Sequence, residues 1–383
     1  MAFRSTRFLL LLSLSLIVAL WLLRSPRRPA FHQEKGSEPV AVAPPESAAQ
    51  SGGKPGQPSP PQGPIQQQEQ LPIPPCWEGL LDLDEHATLD SLREAMLAGL
   101  HDPLILEYLE ARLSEVIGAD TQAALRVLES AKDAGPPLST HLLAALQKSS
   151  AVQKSQVAEK LLALGADGKQ SQELRKAALE ALETQHSLTP PMLSRLHSIA
   201  MDEHSDEAAW LAARTIGKVM TEDFQRGGSA ASYLKELLDI GQYSGEAAVR
   251  SLALEMPSYA NVPMDKSALT VLAQVLARDP DRSTREMAAF RMSLSRDPNQ
   301  ALTLLAAAFE SERDLCVRWA IFRFAVRAAG PRSLPVLDKM STTDPRLRPD
   351  YEDFLAIYAR GVVDFARVWQ EKRERIQCID EEG

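Results

Sequence analysis

The sequence contains no convincing run of alternating polar and β-branched residues, which excludes a sheet as its organising element. No glycine-rich loop leads into a helix, and Gly227-Gly228 reads only as a chain break, so no phosphate cradle and no cofactor is expected. No serine, cysteine or lysine stands in a nucleophile motif. The seven histidines are scattered. His197, Asp202, Glu203 and His204 come nearest to a metal set, but the two histidines lack the spacing of a helical ligand pair, and the acids read as first-turn charges. No metal site is expected. Positive charge is also short: residues 76–383 carry 35 basic against 47 acidic residues, a net charge of −12. Such a surface repels phosphate backbones, so DNA and RNA are not expected partners.

What the chain does have is one helix written several times. Residues 171–182, Ser-Gln-Glu-Leu-Arg-Lys-Ala-Ala-Leu-Glu-Ala-Leu, are the plainest copy. With Leu174 as reference, equivalent positions fall at Ala209, Val249, Thr284 and Val317, spaced by 35, 40, 35 and 33 residues. Arg175, Trp210, Arg250, Arg285 and Arg318 follow directly, and alanines follow three or four residues after each reference. A period of this length, built from a helix pair, is how an α-solenoid is written.

Three copies share a polar detail. An acid stands four residues before the arginine in Glu246/Arg250, Asp281/Arg285 and Asp314/Arg318. That spacing puts carboxylate and guanidinium on one helix face, with the acid near the positive end of the helix dipole. Stacked copies would set these structural pairs in a row, each arginine within reach of its neighbour's carboxylate.

These copies resemble HEAT repeats, especially the short bacterial kind related to phycobilin-lyase HEAT-like repeats. Asp314-Leu-Cys-Val-Arg-Trp-Ala and Ala328-Ala-Gly-Pro-Arg-Ser-Leu-Pro-Val-Leu337 carry the likeness best, through the aspartate, Val-Arg and Gly-Pro…Leu-Pro-x-Leu features. Thr189-Pro-Pro-Met-Leu193 running into Ser205–Ala213 is a second stretch. The resemblance covers about 170–340 and departs at Trp210, where arginine is missing, and at the 40-residue spacing. It implies an all-α, right-handed solenoid of about eight antiparallel helix pairs and a binding role. It carries no catalytic residues across.

Before the repeats come two segments of different character. Phe8–Leu23 is a sixteen-residue run without a charge, with Arg4 and Arg7 before it and Arg24, Arg27 and Arg28 after. Sixteen helical residues span about 24 Å, slightly short of a bilayer core near 30 Å, and flanking arginines can snorkel. Residues 1–24 thus read as an uncleaved membrane anchor, with a cleaved signal segment as the rival; the flanking arginines stand where a cleavage region would be. Residues 25–75 hold half of the 26 prolines and a glutamine-rich tract, the composition of a disordered tether. The folded domain is expected outside the cytoplasm, in the periplasm, at residues 76–383.

Within that domain helix starts are marked by Asp102-Pro103, Asp120 and Thr189-Pro190, and stops by Gly165, Gly168, Gly227-Gly228, Gly241 and Pro257. The segments between run to 10–16 residues. From Tyr351 to Trp369 a dense aromatic set precedes a basic turn and the acidic tail Asp380-Glu381-Glu382, fitting a terminal capping helix, or an aromatic docking face as the alternative. Cys316 reads as a buried thiol. Cys76 and Cys378 bracket the domain, and their pairing would suit an oxidising compartment, although solenoid ends lie far apart.

The expectation is a membrane-tethered scaffold or assembly subunit of a cell-envelope complex that binds another protein or peptide and catalyses nothing. A modifying enzyme of the bilin-lyase class and a spacer without a partner groove are the alternatives.

Overall fold

Aspartate, serine or threonine opens most helices of the repeat region, because the first amides of a helix lack intrahelical acceptors. Thr88 and Ser91 form a reciprocal capping box. Asp102 accepts from the amides of Leu104 and Ile105, with Pro103 at the first helical position. Asp120, Ser171, Asp265, Asp281, Asp297 and Asp314 cap in the same way. Thr189 is an exception: its side chain makes no capping bond, and Pro190 and Pro191 start the helix by fixing its dihedral angles.

In the computed structural model the described residues are 87–202, 206–262 and 264–359. The chain divides into Met1–Gln70 and Leu71–Gly383, and all described residues belong to the second unit. The anchor, the tether, Cys76, Cys378 and the aromatic run beyond Ala359 lie outside them. Among the described residues there is no strand, only a single bridge between Met264 and Ser295.

The helices are α1 (Leu89–Ala98), α2 (Pro103–Ile117), α3 (Thr121–Asp133), α4 (Pro136–Lys148), α5 (Ser155–Gly165), α6 (Gln172–Leu182), α7 (Pro190–Ala200) and α8 (Asp206–Gln225). They continue as α9 (Ala231–Tyr243), α10 (Ala247–Glu255), α11 (Lys266–Arg278), α12 (Arg282–Met292), α13 (Pro298–Ser311), α14 (Leu315–Ala329), α15 (Leu334–Thr343) and α16 (Arg348–Ala359). Each odd helix packs on the even helix that follows it. From α2 to α14 each even helix also packs on the next even one, more extensively than the odd helices pack on each other. This pairwise stack is the packing of a helical solenoid.

The repeated residues explain the stack. Leu174, Ala209, Val249, Thr284 and Val317 are all buried, as are Ala178, Ala212, Ala253, Ala288 and Ala320 behind them. Alanine at these positions lets successive even helices approach, while leucine and phenylalanine fill the space between layers. Burying each large side chain contributes roughly 1.5–3 kcal/mol. The core is two clusters: one runs from Leu92 to Val262, the other from Leu254 to Phe354, and Leu234 packs against both.

One expected boundary falls elsewhere. Gly241 does not stop a helix but lies inside α9, whereas Gly165 is, as expected, the last residue of α5. Each faces a leucine of the following helix at the equivalent repeat position. A Cβ on Gly165 would stand 2.8 Å from Leu179 Cδ2, and one on Gly241 would stand 2.5 Å from Leu254 Cδ2. Glycine is there for close approach rather than for a turn. Helix α8, twenty residues long, exceeds the expected range and runs through Gly217, where a Cβ would stand 2.4 Å from Met256 Cβ.

Candidate functional site

The repeat arginines form a ladder, with carboxylates other than those the spacing suggested. Arg250 donates from Nε to Asp279 Oδ2 at 2.7 Å and from Nη2 to Asp279 Oδ1 at 2.9 Å. Its Nη1 donates to the carbonyls of Ser244 and Gly245, both at 3.0 Å. Arg285 repeats the arrangement one pair on, with Nε to Glu312 Oε2 at 2.9 Å and Nη1 to the carbonyls of Asp279 and Pro280. Arg318 donates to the Glu312 carbonyl at 2.7 Å and to Asp344 Oδ2 at 3.2 Å. Arg175 makes the carbonyl half of the contact, Nε to Gly165 O at 3.1 Å. A planar fork of five donors suits this double task of closing one turn and gripping the next.

Glu246, Asp281 and Asp314 hold a different position from the one expected of them. All three are N-cap residues with extended backbone. Asp281 accepts from the Thr284 amide at 2.7 Å, and Asp314 from the Cys316 and Val317 amides at 2.8 and 3.2 Å. Glu246 makes no side-chain capping bond. A cap residue stands half outside the helix, so its carboxylate turns to the free amides and not along the helix to the arginine. The acids that answer the arginines lie 29, 27 and 26 residues downstream of them. Two of them precede a cap by two residues, in Asp279-Pro-Asp281 and Glu312-Arg-Asp314, a signal present in the sequence but unread.

Asp344 ends the ladder. Hydrogen bonds from Arg346 and, after burial has opposed them, from Arg318 hold its carboxyl down at about 2. At Trp210, where the arginine is missing, Arg214 stacks on the indole with Cζ 5.3 Å from the ring centroid. Arg214 and Lys218 also reach Glu183, the residue after the end of α6, at 3.1 and 3.0 Å. Burial pushes the Glu183 carboxyl up despite both cations.

Two grooves open between helices. One, of about 470 Å³, crosses even helices α2, α4 and α6 and is lined by Glu110, His141, Gln147, Lys176 and Glu180 among others. There Glu110 accepts from Lys148 at 2.6 Å and lies 2.7 Å from His141 Nδ1. Lys176 reaches Glu207 of α8 at 3.1 Å. The other, of about 550 Å³, lies between odd helices α9 and α11 and is lined by Leu234, Leu238, Asp239, Val262 and Ala268 among others. His197, the centre of the nearest metal-like motif, meets Asp239 at 2.8 Å and Glu236 at 3.6 Å across the helices. Among the described residues no group of three or more His, Cys, Asp or Glu could hold a metal ion.

At the C-terminal end the chemistry of the even helices changes. Cys316, Trp319, Arg323 and Arg327 recur every three or four residues along one stripe of α14. Arg323 Cζ is 4.5 Å from the ring centroids of both Trp319 and Phe324. Arg327 lies 5.0 Å over Phe290 of α12, which meets Phe324 at 5.4 Å. Cys316 is not a buried thiol: it is partly exposed on the first turn and disulfide-bonded. With three cysteines in the chain, that bridge excludes a Cys76–Cys378 pair within one molecule.

No family model matches this chain, and no curated protein matches it.

Proposed function

We propose that this protein is a membrane-tethered, right-handed HEAT-like solenoid that binds another protein or peptide across its even-numbered helices. The supporting observation is the groove over α2, α4 and α6, where Glu110, His141, Lys176 and Glu180 line one continuous surface. The closer stacking of even helices favours curvature toward their face, and a curved repeat surface spreads recognition over several repeats. Alternating acids and bases give such a surface specificity through charge pairing with a mixed-charge partner. Binding is therefore the role, as scaffold or assembly subunit of an envelope complex, in preference to catalysis.

The arginine-flanked run Phe8–Leu23 would anchor the chain, with residues 25–75 as a disordered tether and the domain in the periplasm. The disulfide at Cys316 fits an oxidising compartment. Among the described residues no helix is long and apolar enough to cross a membrane. N-terminal sequencing tests the anchor: an intact start is expected, and a mature chain beginning near residue 25–31 would show secretion instead.

The binding face is tested by a photo-crosslinking residue placed at Ala144 or Ala177 on the even helices, or at Lys235 on α9. A crosslinked partner from the first two sites and none from the third is the expected result in detergent-solubilised membranes. Crosslinking from Lys235 alone would move the site to the odd face.

A further inference from the structure

The groove over α2, α4 and α6 mixes acids and bases, but its bases are already committed. Both oxygens of Glu110 are taken, one by His141 Nδ1 at 2.7 Å and the other by Lys148 at 2.6 Å. Lys176 is drawn to Glu207, on the first turn of α8, at 3.1 Å. The Thr140 hydroxyl donates back to the Pro137 carbonyl at 2.8 Å, and the Gln147 amide nitrogen donates to the Glu180 carbonyl at 2.9 Å.

What stays open is of one kind. Among the described residues the carboxylates of Glu173 and Glu180 have neither a hydrogen bond nor an ion pair. Glu173 is exposed and Glu180 half-buried. With its nitrogen engaged, Gln147 leaves its amide oxygen as a third free acceptor. The charge of Glu180 also bears on its neighbour: burial pushes the Glu183 carboxyl up, and Glu180 pushes it further the same way. A cation seated at Glu180 relieves that repulsion.

Glu173 and Glu180 are seven residues apart on α6, two turns, which sets them about 10.5 Å apart on one helix face. Ala177 stands between them, and Ala144 of α4 lines the same groove. Alanine leaves depth there, and the aliphatic stem of a lysine or arginine can lie over it while the charged head reaches a carboxylate.

We propose that this groove receives a basic peptide segment, with one lysine or arginine head on Glu173 and another on Glu180 and their stems over Ala144 and Ala177. The proposal rests on the even-face reading above and names the chemistry of its ligand. Arginine suits Glu180 best, because its planar fork meets a carboxylate with two donors and keeps another for the Gln147 oxygen. Neither glutamate holds a partner, so removing their charges strands nothing and leaves the fold intact.

Fluorescence anisotropy of the full-length chain in neutral detergent, titrated with fluorescein-labelled octa-arginine, tests this chemistry. Glu173→Gln/Glu180→Gln is expected to weaken binding about tenfold, the effect of two ion pairs lost together. Glu94→Gln/Glu159→Gln removes the same charge from the odd helices α1 and α5 and is expected to change binding less than about twofold, because salt screens distant charges. Equal losses in the two variants, no loss in the first, or no binding of octa-arginine to the wild type overturns the proposal. Photo-crosslinking from Ala144 separates it from the reading on which it rests. A partner captured equally by the wild type and by Glu173→Gln/Glu180→Gln overturns the basic segment and leaves the even face standing. No capture from the wild type, with octa-arginine still held through the two glutamates, overturns the even-face reading and supports the groove's chemistry.

Discussion

Arg285 holds Glu312 of the next repeat at 2.9 Å while the same guanidinium closes the Asp279-Pro280 turn behind it. Both side chains are largely buried, at 14% and 11% exposure. Such a pair differs from a surface ion pair, because removing one member strands the other charge away from water.

Arg285→Ala is accordingly expected to destabilise the domain by about 3 kcal/mol, beyond the range of exposed pairs. Arg285→Lys should recover little, since an ammonium cannot reach the carboxylate and two carbonyls together. Urea midpoints of the two variants check this, and a midpoint unchanged by Arg285→Ala would mark the ladder as decoration.

Gly241→Ala is expected to cost about 1–3 kcal/mol through the clash with Leu254, the usual range for overpacking. Adding Leu254→Ala should lose less than the two single effects summed, because each change relieves the other. A double-mutant cycle by thermal or urea unfolding reads the coupling directly.

Asp344 sets an acid limit. Its carboxyl is held at about 2 against an ordinary 3.8. The unfolded chain binds the extra proton first, so the stabilisation is complete above pH 3.8 and lost as pH falls toward 2. Asp344→Asn should flatten the stability curve across that window, with a loss on the order of 2 kcal/mol at neutral pH. Unfolding titrations at pH 2.5, 3.5 and 6 distinguish the two curves.

Arg291 is 1% exposed, and its Nη2 meets only the sulfur of Met264, at 3.6 Å. Burial pushes its guanidinium down to about 10. Replacing a buried charge that has no acid by an apolar side chain of similar length removes a desolvation cost. Arg291→Met should therefore raise stability by roughly 1 kcal/mol or more. A lower melting temperature would show that Arg291 has an essential partner.

The repeat was readable from Leu174, Ala209, Val249, Thr284 and Val317 because burial at a fixed helical register leaves a periodic trace in the chain. The arginines were readable for the same reason. Their partners were not: the i,i+4 rule describes two residues inside one helix, whereas Glu246, Asp281 and Asp314 stand at helix caps. The grooves were invisible, since Glu110, His141 and Lys176 come from three helices with no shared motif.

Residue order by itself determined the all-helical character, the pairing of helices and their caps, because these depend on neighbours within about one turn or one repeat. Only the tertiary structure decided which carboxylate each arginine holds, why Gly165 and Gly241 sit inside or at the end of helices, and that Cys316 is bridged rather than buried. Those facts depend on how closely one helix pair settles on the next, a distance set by the summed side-chain volumes of many residues and written at no single position.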